Sequence, residues 1–484
     1  MAEPQVPGVV QPRVTGGATA HAAEGRDRVE LEASPATAID EVEGSSSLFR
    51  GPFLRLWLAQ VTASLGDWVG LVAILALAAE VSGGSSSGTS VGVVMVARMT
   101  PGFFLASVGG VLVDRWDRKK VMVLCNLGRG VVLGSLVFVD TLWGRVVASL
   151  LLEIMTLLWS PAKEASVPNL VTTAQLPAAN SLSLVAAYGT FPLATGLSAL
   201  LFKVAEWLSG FDALDIFQVN QESAPFYFNV ICYVASAALI ATLALPRPER
   251  RDPGPINLRG TFQELADGWR FIGSSPVVRA VMLGLATGLF GGGMVVPLGI
   301  DFSTQVLEAG RAGFSLLLTA LGMGVGAGVL LLSAVQKRLP RERIFVLSAF
   351  GSGAFLLMGA TSSTLTLAMA SVAALGVCAG SVYVVGFTIL HENVQDELRW
   401  RIFATLYTLI RLCLLAALGL APLLSHLLDR ASRAIAGADR AFSLGTVTIA
   451  LPGVRLTLWF GGLVVLVAGV LAGWILRRPV PSTT

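Results

Sequence analysis

GGVLVDRWDRKK, residues 109–120, closes an apolar stretch that starts near residue 90. As a helix rising 1.5 Å per residue, residues 90–113 span more than the ~30 Å hydrocarbon layer of a bilayer. The polarity then switches abruptly. Asp114 is followed by Arg115, Arg118, Lys119 and Lys120. Such a switch marks where a membrane helix leaves lipid for water, on the side that collects positive charge. Gly110 lets a neighbouring helix approach closely. Asp114 stands at the water boundary, placed to accept hydrogen bonds from a nearby arginine or a helix N-terminus.

The same reading extends along the chain. Twelve apolar segments follow Pro52, at about 54–79, 90–113, 121–139, 146–168, 179–204, 224–245, 276–300, 312–335, 343–360, 364–390, 401–427 and 455–476. Membrane β-strands would be ~10 residues long and alternate in polarity. These runs do neither, so the expected fold is an all-α membrane protein of twelve transmembrane helices. A mean hydropathy of +0.72 and only 13% charged residues exclude a soluble domain of 484 residues. The net charge of +3 and the apolar composition also argue against a nucleic-acid partner.

The cations are unevenly spread. If the N-terminus is cytoplasmic, the inner connections hold Arg115, Arg118, Lys119 and Lys120, then Arg247, Arg250, Arg251, Arg259 and Arg270, then Lys337, Arg338, Arg341 and Arg343, then Arg399 and Arg401. The outer connections hold few, apart from Arg430, Arg433 and Arg440 in the last and longest. Both termini are expected on the inner face of a plasma (inner) membrane.

Five regions are expected: an acidic, Ala/Gly/Pro/Ser-rich tail (1–47), a first six-helix half (48–245), a linker (246–275) opening with PRPERRDPGP, a second half (276–478) and a short tail (479–484). Tail 1–47 has eight acids against three arginines and no apolar run after Met1, which fits neither a secretory signal nor a transit peptide. A 6 + 6 division suggests pseudo-symmetric halves. Cys125, Cys232, Cys378 and Cys413 fall within predicted helices without metal-ligand spacing, so neither a metal, a cofactor nor a disulfide framework is expected.

Gly110, Asp114, Arg115, Arg118 and Lys119 together resemble the loop signature of the major facilitator superfamily, Gly-x-x-x-Asp-Arg-x-Gly-Arg-Arg/Lys. Asp117 departs from it, and that departure is similar to the branch of bacterial siderophore and macrolide exporters. SPAKEASVPNLVTTAQLPAANSL (160–182) and DELRWRIFA (396–404) resemble the same branch, with Trp400 where Gly is usual. The resemblance runs from about residue 50 to 478. It implies two halves that rock around a central cavity, with the motif as a cytoplasmic latch. GMGVGAGVLLLSAVQKRLPRER (322–343) reads as a degenerate echo lacking the acid. AAYGTFPLATG (186–196) partly resembles the antiporter motif of helix five, through Gly189, Pro192 and Gly196, and Pro192 predicts a kink there.

Ionisable residues inside lipid are expensive and point to function. Counted from the inner face, Asp67 lies at ~18 Å, Arg98 at ~24 Å, Arg129 at ~14 Å and Glu153 at ~18 Å. Two acids and two bases thus share one layer near the midplane. Burial disfavours a charged carboxylate and a nearby guanidinium restores it. An arginine that moves as the halves rock therefore makes the acid take up and release a proton. Asp67 and Glu153 are the expected carriers, with Arg98 and Arg129 as switching partners; a static buried salt bridge is the competing account. Arg411 stands at ~15 Å in helix eleven, to meet an anionic solute or the first half. Lys163 and Glu164 are expected at the inner interface. Trp57, Trp143, Trp207, Trp459 and Trp474 read as interface anchors, and Trp68, Trp159, Tyr188 and Tyr383 as cavity lining.

The function expected is secondary transport: proton-coupled efflux of a small amphipathic organic molecule by a monomer in the lipid bilayer. An importer or a lysophospholipid flippase of the same fold is the nearest alternative; a non-transporting receptor or scaffold is another. No G-x-S-x-G, H-E-x-x-H or nucleotide-binding loop is present, which speaks against an enzyme or an ATP-driven pump.

Overall fold

The computed structural model describes residues 48–49, 51–80, 87–209, 223–245, 275–336, 338–394, 396–436, 441–444 and 447–476. The side chains of 80, 87, 103–115, 333, 396–401, 404, 436 and 441–450 are outside the description. The expected tail, linker and C-terminal end lie outside it as well.

Twelve helical segments follow one another: α1 (Pro52–Glu80), α2 (Ser87–Arg115), α3 (Arg118–Ser135), α4 (Leu142–Glu164), α5 (Leu176–Leu184, a π-helical turn Val185–Gly189, then Phe191–Leu208), α6 (Ser223–Ala241), α7 (Pro276–Gly293 continued by Val295–Gln305), α8 (Gly310–Val335), α9 (Arg341–Thr361), α10 (Leu365–Asn393), α11 (Asp396–Ala436) and α12 (Gly453–Leu476). Among the described residues, eleven are long and apolar enough to cross a membrane. The remaining one, α2, is 29 residues long. Apolar side chains face outward at helical spacing, as in Leu124, Leu127 and Val131 of α3, where lipid replaces a protein core.

Two features differ from the sequence expectation. Helix α11 runs 41 residues, ~62 Å, about twice the hydrocarbon thickness. It carries Arg430 and Arg433, expected in a loop. A two-stranded antiparallel hairpin, β1 (Ala441–Leu444) with β2 (Val447–Ala450), then leads to α12. This end of α11, on the face away from the start of α1, is tied down. The Ser432 hydroxyl donates to the Leu451 carbonyl at 2.7 Å, and the Gly453 amide at the start of α12 donates to Asp429 at 3.1 Å.

The hydrophobic clusters reveal which face is closed. On the face where α1 begins and α12 ends, one cluster belongs to the first six helices (Leu56, Met122, Trp159, Ile240) and a separate one to the last six (Val281, Phe345, Leu390, Leu406). Towards the opposite face, Ile300, Phe314 and Leu418 join Val72, Val91 and Val94 in one shared cluster. There Thr319 of α8 hydrogen-bonds Thr195 of α5 at 3.1 Å. A Cβ on Gly92 of α2 would meet Pro422 of α11 at 3.1 Å, and one on Gly88 would meet Asp301 of α7 at 3.1 Å. Among the described residues, then, the halves join on the far side and part on the side of the termini.

Candidate functional site

Helices α1, α3, α4 and α5 enclose a cavity of about 490 Å³, reaching from Asp67 to Glu164 and Val167 at the terminal face. Its wall mixes Asp67, Arg129, Lys163, Gln60 and Asn180 with Trp68, Trp159, Leu184 and Tyr188.

Asp67 is the deepest acid of that wall, its side chain 28% exposed to the cavity. Behind it Arg129, 1% exposed, donates to both carboxylate oxygens at 3.3 and 3.4 Å. The Tyr233 hydroxyl donates to the same carboxylate, and Arg129 also donates to the Asn126 amide oxygen. The guanidinium lies 4.6 Å from the Tyr233 ring and 5.3 Å from that of Trp159, both within cation–π range. Asn126 and Arg129 are three residues apart on one face of α3. Asn229, Tyr233 and Ser236 line one face of α6 at helical spacing. The Asn126 amide donates to Ser236 at 2.8 Å, Ser236 donates to the Ala59 carbonyl at 2.7 Å, and Asn229 donates to the Gly66 carbonyl. The network fixes three helices around one carboxylate.

Arg98 and Glu153 form a looser pair, 3.9 Å apart, at 18% and 22% exposure. The midplane charges picked out by counting residues therefore pair as Asp67–Arg129 and Arg98–Glu153. Arg411 crosses between halves, donating to the Gly102 carbonyl of α2 at 3.3 Å.

Helix α5 is irregular beside the cavity. Val185–Gly189 form the π-helical turn, and Pro192 enters the first turn of the next helical piece. A Cβ on Gly189 would meet Val185 at 3.3 Å, and Gly196 faces Thr319 of α8. Three α1 side chains hold this segment: Trp57 donates to the Leu182 carbonyl at 2.8 Å, Gln60 to Ser183 at 2.9 Å and Trp68 to Ala187 at 2.9 Å. Trp57, read from sequence as an interface anchor, thus belongs to the cavity's frame. π-helical turns of this kind recur at functional sites.

Among the expected latch residues, the side chains of Asp114 and Arg115 are outside the described ones, and Gly110 lies in the same stretch of α2. Arg118 donates to the Ala165 carbonyl at 2.9 Å, a cation at the C-terminus of α4. Asp117, which breaks the family pattern, caps α3 by accepting from the Lys120 amide at 3.1 Å. Lys119 stands half-buried in that first turn.

Sequence reasoning missed Tyr233, Asn126, Asn229 and Ser236. Their polar spacing within apolar helices was the available signal. Lys163, in the last turn of α4 as expected, is only 6% exposed. Trp68, Trp159 and Tyr188 line the cavity as expected. Tyr383 packs on Phe387 of α10, with ring centroids 4.5 Å apart.

The family model described as "Transmembrane secretion effector" matches residues 44–411. The chain belongs to this family. It is an integral, multi-pass membrane transporter of the major facilitator type, not an enzyme. Two relatives from Bacillus subtilis (strain 168) carry the name uncharacterized MFS-type transporter. YfiS is 26% identical over 353 residues, 72% of this chain and 79% of that protein. YkuC is 23% identical over 359 residues, 72% of this chain and 80% of that protein. Among solved structures, a bacterial homologue of the human lysosomal transporter Spinster, inward-facing and unoccupied, matches with a TM-score of 0.66 at 14% identity, covering 90% of this chain and all of that one. The nucleoside transporter NupG matches at 0.62 and 11% identity over 89% of this chain and all of its own. At such identities the likeness is one of fold.

Proposed function

We propose that the protein is a monomeric proton antiporter that exports a small amphipathic molecule of drug or siderophore type across the inner (plasma) membrane, with both termini cytoplasmic. One observation carries this reading: Asp67 faces a cavity open on the terminal side, while its arginine partner is sealed behind it. A proton from the far side neutralises Asp67 once the halves rock. Arg129 then remains held by Asn126 and two aromatic rings, so the vacated cation is not stranded. Return to the state described here lets Arg129 and Tyr233 gather the carboxylate again, and the proton leaves on the terminal side as solute enters. The Tyr233 hydroxyl serves both states, donating to the carboxylate or accepting from the carboxylic acid. Glu153, Arg98 and Arg411 form the second carrier, at the seam between α2, α4 and α11. The loop of Gly110, Asp114, Arg115, Arg118 and Lys119 acts as the latch, with Arg118 bridging to the end of α4.

The test presents a panel of drugs and siderophores to cells producing wild type or Asp67→Asn protein at equal membrane levels. Wild type lowers accumulation of at least one compound, collapse of the proton gradient restores it, and Asp67→Asn abolishes the difference. Equal, gradient-sensitive efflux by Asp67→Asn removes Asp67 as the carrier.

A further inference from the structure

The cavity holds a second cation that the proton network does not use. Lys163 is 94% buried (6% exposed) on the cavity wall. Among the described residues its ammonium has neither a carboxylate within ion-pair distance nor a hydrogen-bond acceptor. Glu164, its neighbour in sequence, is exposed and takes a 3.4 Å hydrogen bond from Ser160 instead. One turn earlier on the same helix, Trp159 is 7% exposed, and its indole N–H is buried without an acceptor. Residues four apart on a helix are neighbours, ~5–6 Å between Cβ atoms. A charged donor on the cavity wall and a buried indole N–H beside it thus both lack a hydrogen-bond acceptor among the described residues. A lone buried ammonium is costly unless something supplies the opposite charge. Asp67 cannot, because Arg129 and Tyr233 already engage it.

We propose that Lys163 and Trp159 form an anion subsite in this cavity, taking the carboxylate or phosphate-ester oxygens of an amphipathic substrate whose apolar part lies against Trp68, Leu184 and Tyr188. The volume, about 490 Å³, suits a drug-sized molecule. One uncommitted cation selects a single anionic group, and the mixed wall selects an apolar body. This rests on the transport reading only in naming the cavity's occupant as a substrate, because binding at equilibrium needs no proton gradient.

The test measures dissociation constants by equilibrium dialysis of radiolabelled 4-phenylbutyrate, 4-phenylbutyl phosphate and 4-phenylbutanol. The full chain is reconstituted in nanodiscs of zwitterionic phosphatidylcholine, with empty discs subtracted. Wild type binds at least one anion about 10-fold or more tighter than the alcohol, and Lys163→Met removes that preference, as loss of a charge-assisted hydrogen bond does. Lys163→Arg keeps it within about 3-fold. Lys163→Met leaves the unfolding temperature unchanged or raised, because it removes an unpaired buried charge; a purely structural lysine would lower it. Tighter 4-phenylbutyrate marks a carboxylate substrate and tighter 4-phenylbutyl phosphate a phosphate ester. Anions that bind no better than the alcohol, or equally well to Lys163→Met, overturn the subsite and leave proton antiport standing. Lys163-dependent binding without proton-driven flux overturns the antiport reading alone.

Discussion

The first six helices and the last six share a fold and divide the work. The first half holds a cavity of about 490 Å³, two midplane ion pairs and a hydrogen-bonded network through α1, α3 and α6. In the second half, the void between α7, α8, α9, α10 and α12 is about 40 Å³ and lined by apolar side chains and glycine. Its helices meet through glycine: a Cβ on Gly324 or Gly328 of α8 would run into the backbone of Ala373 or Val377 on α10. Its aromatic residues stack on one another, Phe387 against Tyr383, Phe403 and Tyr407. Its buried arginine, Arg455, serves a helix end: it donates to the Ala360 and Ser362 carbonyls, both at 3.0 Å, where α9 stops. Close glycine packing makes a stiff body, whereas a cavity lined by charge makes one that can exchange ions with water. On the proposed mechanism both proton-carrying acids belong to the first half, and Arg411 is the second half's contribution to them.

The sharpest way to break that contrast is Gly328→Val. With backbone directly in the way, overpacking costs about 3 kcal/mol or more, and folded protein in the membrane falls steeply. Gly326→Ala, where a Cβ meets nothing within 4 Å, leaves it intact. Equal yields from both variants would remove glycine packing as the source of stiffness. Next, Arg455→Met strips the C-terminal end of α9 of its cation. About 1.5–3 kcal/mol of unfolding free energy disappears, read by thermal unfolding in detergent, while proton coupling in the surviving protein is unchanged. A coupling defect there would mean that the second half carries more of the chemistry than Arg411.

Tyr233→Phe acts the other way round. It keeps the ring under Arg129 and deletes only the hydroxyl that donates to Asp67. Unfolding shifts by about 1 kcal/mol, and proton-driven flux falls about 10-fold. Unaltered flux would reduce Tyr233 to packing. The smallest effect belongs to Arg341→Ala, which breaks an exposed pair with Glu392 at the terminal face of the second half. Its cost is about 0–1 kcal/mol, within the scatter of a denaturation curve.

Much of the fold could be read from the sequence because the bilayer imposes one length on every crossing. The segment count and the midplane depth of Asp67, Arg98, Arg129 and Glu153 both follow from 1.5 Å per residue. Where lipid stops imposing that rule, the reading weakens. The C-terminal extension of α11 and the hairpin Ala441–Ala450 lie beyond the apolar stretch, so hydropathy ends helix eleven at about residue 427 instead of Ala436. The site was legible by depth and not by direction. Counting residues puts four charges in one layer without saying that Arg129 faces Asp67 while Arg98 faces Glu153. That choice depends on helix rotation, set by contacts such as Asn229 against the Gly66 carbonyl. Lys163 sits near a helix end, as depth predicts, yet it is only 6% exposed, which depth alone does not show.

Proton release on substrate binding reads the claim most directly, because it needs neither a gradient nor a sealed vesicle. Purified protein in weakly buffered detergent solution, titrated with a compound shown to be exported, is followed with a pH-indicating dye. In protein first acidified until Asp67 carries its proton, the account predicts about one proton set free per wild-type molecule and none from Asp67→Asn, with substrate still bound. Undiminished release from Asp67→Asn, or none from wild type at saturating substrate, would contradict it.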